Sequence, residues 1–206
     1  MKTNAILLLT ACALLPTACF DLGLSRETPR QRRYVLEAPR SERSTAWGTN
    51  NLEVRAFHTA SAYAGRSFVY RVAGQEVESD FYHEFQQAPG QAVSEATRAW
   101  LAGSGLYRTV RGGGSRLAAD QILEGDVVEL YGDYREEVAA AVLSVEFTLL
   151  DGQGSALLYH DSVSARSDLE SQDPEQLVAG WNRCLAEILT KLDAGLRGIA
   201  GAAPRK

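Results

Sequence analysis

Between Leu143 and Leu149 the chain alternates without a fault, with Leu143, Val145, Phe147 and Leu149 apolar and Ser144, Glu146 and Thr148 polar between them. Successive side chains of a strand point to opposite faces, so this stretch demands a sheet with one buried and one solvated face. Such a sheet needs a cover. The last segment supplies it: Leu177, Trp181, Cys184, Leu185, Ile188, Leu192, Leu196 and Ile199 keep helical spacing over about 27 residues, or roughly 40 Å. Asp173-Pro174-Glu175-Gln176 reads as its start, with an N-cap, a proline at the first helical position and a glutamine at the third.

The remaining elements follow the same two periods. Tyr34-Val35-Leu36 reads as a short strand, Leu52 to Phe57 as a half-buried one, and Ser41 to Asn51 as a loop whose Trp47 is expected to cap an edge of the core. Phe68 to Val72 and Val77 to Phe85 flank Ala73-Gly74-Gln75-Glu76 and pair as a hairpin, in which Phe81, His83 and Phe85 share one face and Asp80, Tyr82 and Glu84 the other. Ala92 to Leu101 switches to helical spacing and ends at Gly103 and Gly105. Strands are expected again over Leu106 to Arg111, Ile122 to Tyr134, with a bulge marked by Gly125 near Val127-Val128, and Ala156 to Ala165. The fold class expected is α+β: a two-layer sandwich, with a mainly antiparallel sheet covered on one face by two helices.

The N-terminus reads as an address. Lys2 gives a positive start, Ala5 to Leu15 an apolar run broken only by Thr10, and Thr17-Ala18 small residues before a cysteine, so residues 1–18 are expected to be a cleaved signal peptide. Leu15-Pro16-Thr17-Ala18-Cys19 resembles a lipobox, and Cys19 is the expected lipidation site. Leu9-Thr10-Ala11-Cys12 is the rival, but it leaves an apolar run of only Ala5 to Leu9. An ordinary secreted chain with an unmodified cysteine is the plain alternative. Residues 19–33 form the expected lipidated tether; its arginines Arg26, Arg30, Arg32 and Arg33 suit either anionic headgroups or water. Residues 34–200 form the expected single domain and residues 201–206 a disordered tail.

Charge and chemistry exclude several classes. With 21 basic against 26 acidic residues and a net charge of -5, no basic face for nucleic acid is implied. Once Cys12 and Cys19 are set aside, Cys184 stands alone as an expected buried thiol, so no disulfide framework exists within the chain. His58, His83 and His160 lack metal-ligand spacing, so no metal site is expected. His160-Asp161-Ser162 holds the residue types of a triad on consecutive strand positions that face opposite ways. Arg111-Gly112-Gly113-Gly114-Ser115-Arg116 lacks the lysine and helix of a phosphate loop. No catalytic residue or cofactor is implied. The distinctive supply is aromatic, around the first hairpin: Tyr63, Phe68, Tyr70, Phe81, Tyr82 and Phe85. Tyr70 and Tyr82 are the candidate partner-binding residues, Tyr82 the more exposed, with cross-strand pairing within the hairpin as the simpler role.

Ala62-Tyr63-Ala64-Gly65-Arg66-Ser67-Phe68-Val69-Tyr70-Arg71, Glu78 to Phe85, Ala99-Trp100-Leu101 and Ser104-Gly105-Leu106-Tyr107, taken in order with Tyr34-Val35-Leu36 and the lipobox, carry a likeness. The chain resembles the ABC-type transport auxiliary lipoprotein family. The resemblance implies a non-catalytic lipoprotein, acylated (as with palmitate) and tethered to the outer membrane with its domain in the periplasm. It would serve an MCE-type transporter that moves lipids or other hydrophobic molecules between the two membranes. Its implied partners are an MCE-type subunit, the membrane through its lipid, and another copy of itself. The alternative is a direct lipid carrier with an internal apolar cavity between sheet and helices.

Overall fold

The computed structural model describes residues 30–202, and the signal peptide, Cys12, Cys19 and most of the tether lie outside them. The elements are β1 (Arg32–Tyr34), β2 (Asn51–Val54), β3 (His58–Thr59), β4 (Ser67–Ala73), β5 (Glu76–Phe85), α1 (Pro89–Ala102), β6 (Thr109–Gly112), β7 (Gln121–Asp133), β8 (Ala140–Asp151), β9 (Leu157–Asp168) and α2 (Pro174–Ala202). Among the described residues they form one nine-stranded sheet, a mixed, curled half-barrel, with two helices.

The centre of the sheet is β7. Along one edge it pairs antiparallel with β8 over its whole length, and β8 pairs antiparallel with β9. Its other edge is shared end to end by three strands that all run parallel to it: β2 against Gln121–Leu123, β3 against Asp126–Val127 and β4 against Gly132–Asp133. Strand β6 lies parallel to β2, and β1 parallel to β5. Five of the eight strand pairings are therefore parallel and three antiparallel. The expectation of a mainly antiparallel sheet is corrected. Adjacent strands joined by tight turns are indeed antiparallel, but α1 carries the chain back past the hairpin, so β7 starts beside β2 and runs the same way; a crossover of this length is what parallel pairing requires.

Both helices cover one face and touch each other. The alternation of β8 is obeyed: Leu143, Val145, Phe147 and Leu149 are buried against them, together with Trp181, Leu185, Ile188 and Leu189 of α2. The space in which a carrier would hold its lipid, between sheet and helices, is occupied by these side chains and by Phe68, whose ring meets Trp181 edge-on at 5.0 Å. Trp181 also donates its indole N–H to the carbonyl of Tyr131 at 3.2 Å, so its one polar atom is satisfied in the core. Cys184 is buried as expected, its thiol 3.5 Å from the carbonyl of Ala141.

Several element boundaries differ from the sequence expectation, each for a local chemical reason. Helix α1, expected from Ala92, starts earlier, with Pro89 in its first turn, a position that a missing N–H suits. The bulge in β7 does fall at Val128, between the pairs Val127–Val145 and Glu129–Ser144. Gly125 stays in register, and its glycine is needed for another reason: a Cβ there would stand 2.7 Å from the ring of Phe57. Trp47 is exposed and caps nothing. The tether expected through Arg33 ends sooner, because Arg32 and Arg33 pair with β5 opposite His83 and Glu84; α2 continues to Ala202, inside the expected tail.

Candidate functional site

The first hairpin is where the structure departs most from simple alternation. Ser67 of β4 pairs with Glu84 and Val69 with Ser79, so four residues, Asp80 to His83, stand opposite Phe68 alone. This wide bulge breaks the expected two-face division of β5. Phe85 is buried, but Phe81, expected on the same face, is 75 % exposed, and Tyr82 beside it is 42 % exposed. Their rings meet edge to face at 5.3 Å.

Asp80 holds the bulge in shape. Its Oδ1 accepts the backbone N–H groups of Tyr82 at 2.7 Å and His83 at 3.0 Å. Its Oδ2 accepts the hydroxyl of Tyr70 at 2.6 Å and the Nδ1–H of His83 at 2.8 Å. A short aspartate satisfying backbone N–H groups two and three residues on is a turn device, and it competes successfully with the ladder here. Burial opposes the charge on Asp80, yet these four donors hold its carboxyl below the usual range. Burial, then the bond to Asp80, pushes the Tyr70 phenol well above its ordinary value.

The base of the bulge is aromatic. His83 stacks on Phe68 at 6.3 Å and lies 6.0 Å from Tyr34. Tyr70 stacks on Tyr134 at 5.1 Å, over Gly132, where a Cβ would meet the Tyr70 ring at 3.1 Å. Burial pushes the Tyr134 phenol up to about 12. Of the two candidate tyrosines, then, Tyr82 presents its ring to the surroundings, whereas Tyr70 is partly buried and supports the bulge from beneath. The sequence names Phe81 among the hairpin aromatics but gives neither it nor Asp80 nor His83 a site role. The available signal was an aspartate followed by two aromatic residues within a strand, a composition that suits an Asx turn as well as a ladder.

The arginines around this site are engaged. Arg32 pairs with Glu175 at 3.1 Å, and Glu84 accepts Arg33 at 2.7 Å and Arg66 at 3.4 Å. Beside them, the segment Tyr34–Pro39 and α1 border an open, largely apolar groove of about 360 Å³. The helix-free face of the sheet carries a second polar centre: buried Asp133 accepts Arg135 Nε and Arg166 Nη1, each at 2.8 Å, and Arg71 lies 4.0 Å over the Tyr131 ring. Among the described residues no group of three or more His, Cys, Asp or Glu side chains is placed to hold a metal ion. No described helix is long and apolar enough to cross a membrane.

A family model described as the ABC-type transport auxiliary lipoprotein component matches residues 34–192, which take in β2 to β9, α1 and most of α2. The chain belongs to that family. This auxiliary lipoprotein is accordingly part of an ABC-type transport system, its partners are components of that transporter, and it is held at a membrane through lipid. No curated protein matches it. Its fold is shared with the crystal structure of XCC0632 from Xanthomonas campestris, at 20 % identity and a TM-score of 0.69, covering 82 % of this chain and 96 % of that one. It is also shared with a second, uncharacterized protein at 18 % identity and a TM-score of 0.64, covering 80 % and 97 %, and with CT253 from Chlamydia trachomatis at 11 % identity and a TM-score of 0.51, covering 74 % and 99 %. At these identities the likeness is one of fold.

Proposed function

We propose that this auxiliary lipoprotein is a non-catalytic adaptor, acylated at Cys19 and tethered to the outer membrane, that serves an MCE-type transporter moving lipids or other hydrophobic molecules between two membranes. The family match over residues 34–192 is the observation that carries this reading. Phe20 after the cysteine, in place of an aspartate, is compatible with export to the outer membrane. A non-catalytic role is supported by the hairpin itself, where the polar atoms of Asp80, His83 and Tyr70 are committed to one another and hold shape. Two surfaces are offered to a transporter subunit or a second copy: the hairpin, with Tyr70 beneath and Tyr82 outside, and the edge of β9, which among the described residues pairs only with β8. Strand edges of this length recruit other strands.

The test is purification of the acylated chain from envelope membranes in mild detergent, with identification of the proteins and lipids that accompany it. An MCE subunit or its permease is expected. A fatty-acid label on the wild type that is lost in Cys19→Ala checks the anchor, and a soluble, unlabelled wild-type chain would refute it. Stoichiometric bound lipid without a transporter subunit would favour the carrier reading instead, with the groove beside α1 as the place to look.

A further inference from the structure

The bulge on β5 displays two aromatic rings that the fold does not use. Phe81 is the most exposed phenylalanine of the domain and Tyr82 stands against it, yet both are rigidly presented, because Asp80 fixes the backbone of the bulge through the N–H groups of Tyr82 and His83. Rings held ready in this way lose little conformational freedom on docking. What they dock on is indicated by where the chain enters the domain. The side-chain amide of Gln31 donates to the carbonyl of Phe81 at 3.4 Å, and Arg32 pairs across from His83. The stretch from Cys19 to Gln31 spans at most about 40 Å when extended and about 20 Å as a coil. A lipid on Cys19 therefore keeps this bulge within a short distance of its bilayer.

We propose that, of the two surfaces offered above, the hairpin is the one turned to the membrane: Phe81 and Tyr82 insert into the lipid–water interface of the bilayer that holds the anchor, and the β9 edge is left to the transporter. The inference rests on acylation at Cys19. Aromatic rings with an apolar body and, in Tyr82, a polar tip partition to this depth of a bilayer, and a contact beyond the lipid fixes how the domain sits on its membrane. The arginines that flank the bulge are engaged within the domain, Arg32 with Glu175 and Arg33 and Arg66 with Glu84, so the bulge's own contribution is apolar. Binding by the bulge is consequently insensitive to salt, unlike a polybasic contact.

The experiment uses the full acylated chain carrying Phe81→Trp, reconstituted in vesicles of phosphatidylethanolamine and phosphatidylglycerol, with wild type as the background for Trp47, Trp100 and Trp181. The added emission is expected to be blue-shifted, to be quenched at least twofold more by lipids brominated along their acyl chains than by aqueous iodide, and to keep this behaviour in 0.5 M salt. Phe81→Ser, at an exposed position, keeps the wild-type melting temperature and raises the rate of transfer between vesicles about tenfold, as loss of one phenyl contact implies. A chain that floats with the vesicles while its added tryptophan stays in water overturns the proposal and leaves the anchor standing. Shielding that appears only when a transporter subunit is added assigns the pair to a protein and overturns it as well. A wild-type chain that fails to float removes the anchor and the proposal together.

Discussion

Asp80→Ala removes the acceptor of four hydrogen bonds while touching no core side chain. Its side chain is 13 % exposed, and its donors are two backbone N–H groups, the Tyr70 hydroxyl and the His83 ring. A hydrogen bond to a charged group contributes about 1.5–3 kcal/mol, and a buried donor left alone costs about 1–3 kcal/mol. The Tyr82 N–H is near the surface and turns to water, and the four bonds share one acceptor, so the sum is far from additive; about 2–4 kcal/mol is expected. For a domain of this size that is a fall in melting temperature of roughly 4–16 °C. Asp80→Asn keeps one oxygen for the backbone N–H groups and loses the charge, so about half the effect is expected. The assay is urea unfolding of each variant, read with amide exchange at Tyr82 and His83. Because folding lowers the Asp80 pKa, its contribution is complete above the unfolded value near 4 and is lost as pH falls through the lower folded value. The wild type and Asp80→Asn should therefore converge in acid. An unfolding midpoint for Asp80→Ala within about 0.5 kcal/mol of wild type, with unchanged exchange at Tyr82, would refute the view that this carboxylate sets the bulge.

Three further outcomes are expected. Gly125→Ala drives a methyl group into the Phe57 ring, which lies edge-on to Phe147 at 5.9 Å, and should cost about 1–3 kcal/mol; in a Phe57→Ala background the same change should cost almost nothing, as a double-mutant cycle in urea will read. Asp133→Asn leaves Arg135 and Arg166 facing a neutral group and should cost about 2–3 kcal/mol at pH 7, below the usual figure for a buried pair because both arginines reach water. The hydrogen bonds from Arg135 hold the Asp133 carboxyl well below its ordinary range against burial, so this difference is full above about pH 4 and fades only as pH falls through the lower folded value. Burial pushes the Cys184 thiol up to about 12, so a disulfide reagent at pH 8 should leave the native chain unmodified at this residue and react once urea is added.

Much of this architecture was legible because burial obeys period. Leu143 to Leu149 and Leu177 to Ile199 marked the sheet and its cover, and Asp173-Pro174 marked the start of α2 correctly, with the Asp173 carbonyl accepting the Leu177 N–H at 3.0 Å. Strand direction was not legible, since neither β2 nor β7 carries any mark of the partner beside it; direction was decided by α1, whose length returns the chain to its starting end. The bulge was hidden for a different reason. Asp80 satisfies backbone groups that a ladder would otherwise satisfy, and alternation assumes the ladder. Tyr82 is exposed as expected, but Phe81, expected to share a face with Phe85, is turned outward because the four-against-one offset shifts its phase. Ser144 shows the converse: a polar residue on the outward face is buried all the same, because Glu129 at 2.9 Å and Ser164 at 2.8 Å close over it.

The sharing of one edge of β7 among β2, β3 and β4 bears on how the chain reaches this state. The meander of β7, β8 and β9 can zip from neighbouring turns, but every contact on the opposite edge closes a long loop through α1. Loop-closure entropy accordingly favours early pairing of β7, β8 and β9, with the opposite edge of β7 filled later. Until that edge is filled the middle strand keeps one flank bare, a row of backbone groups open to pairing with other chains.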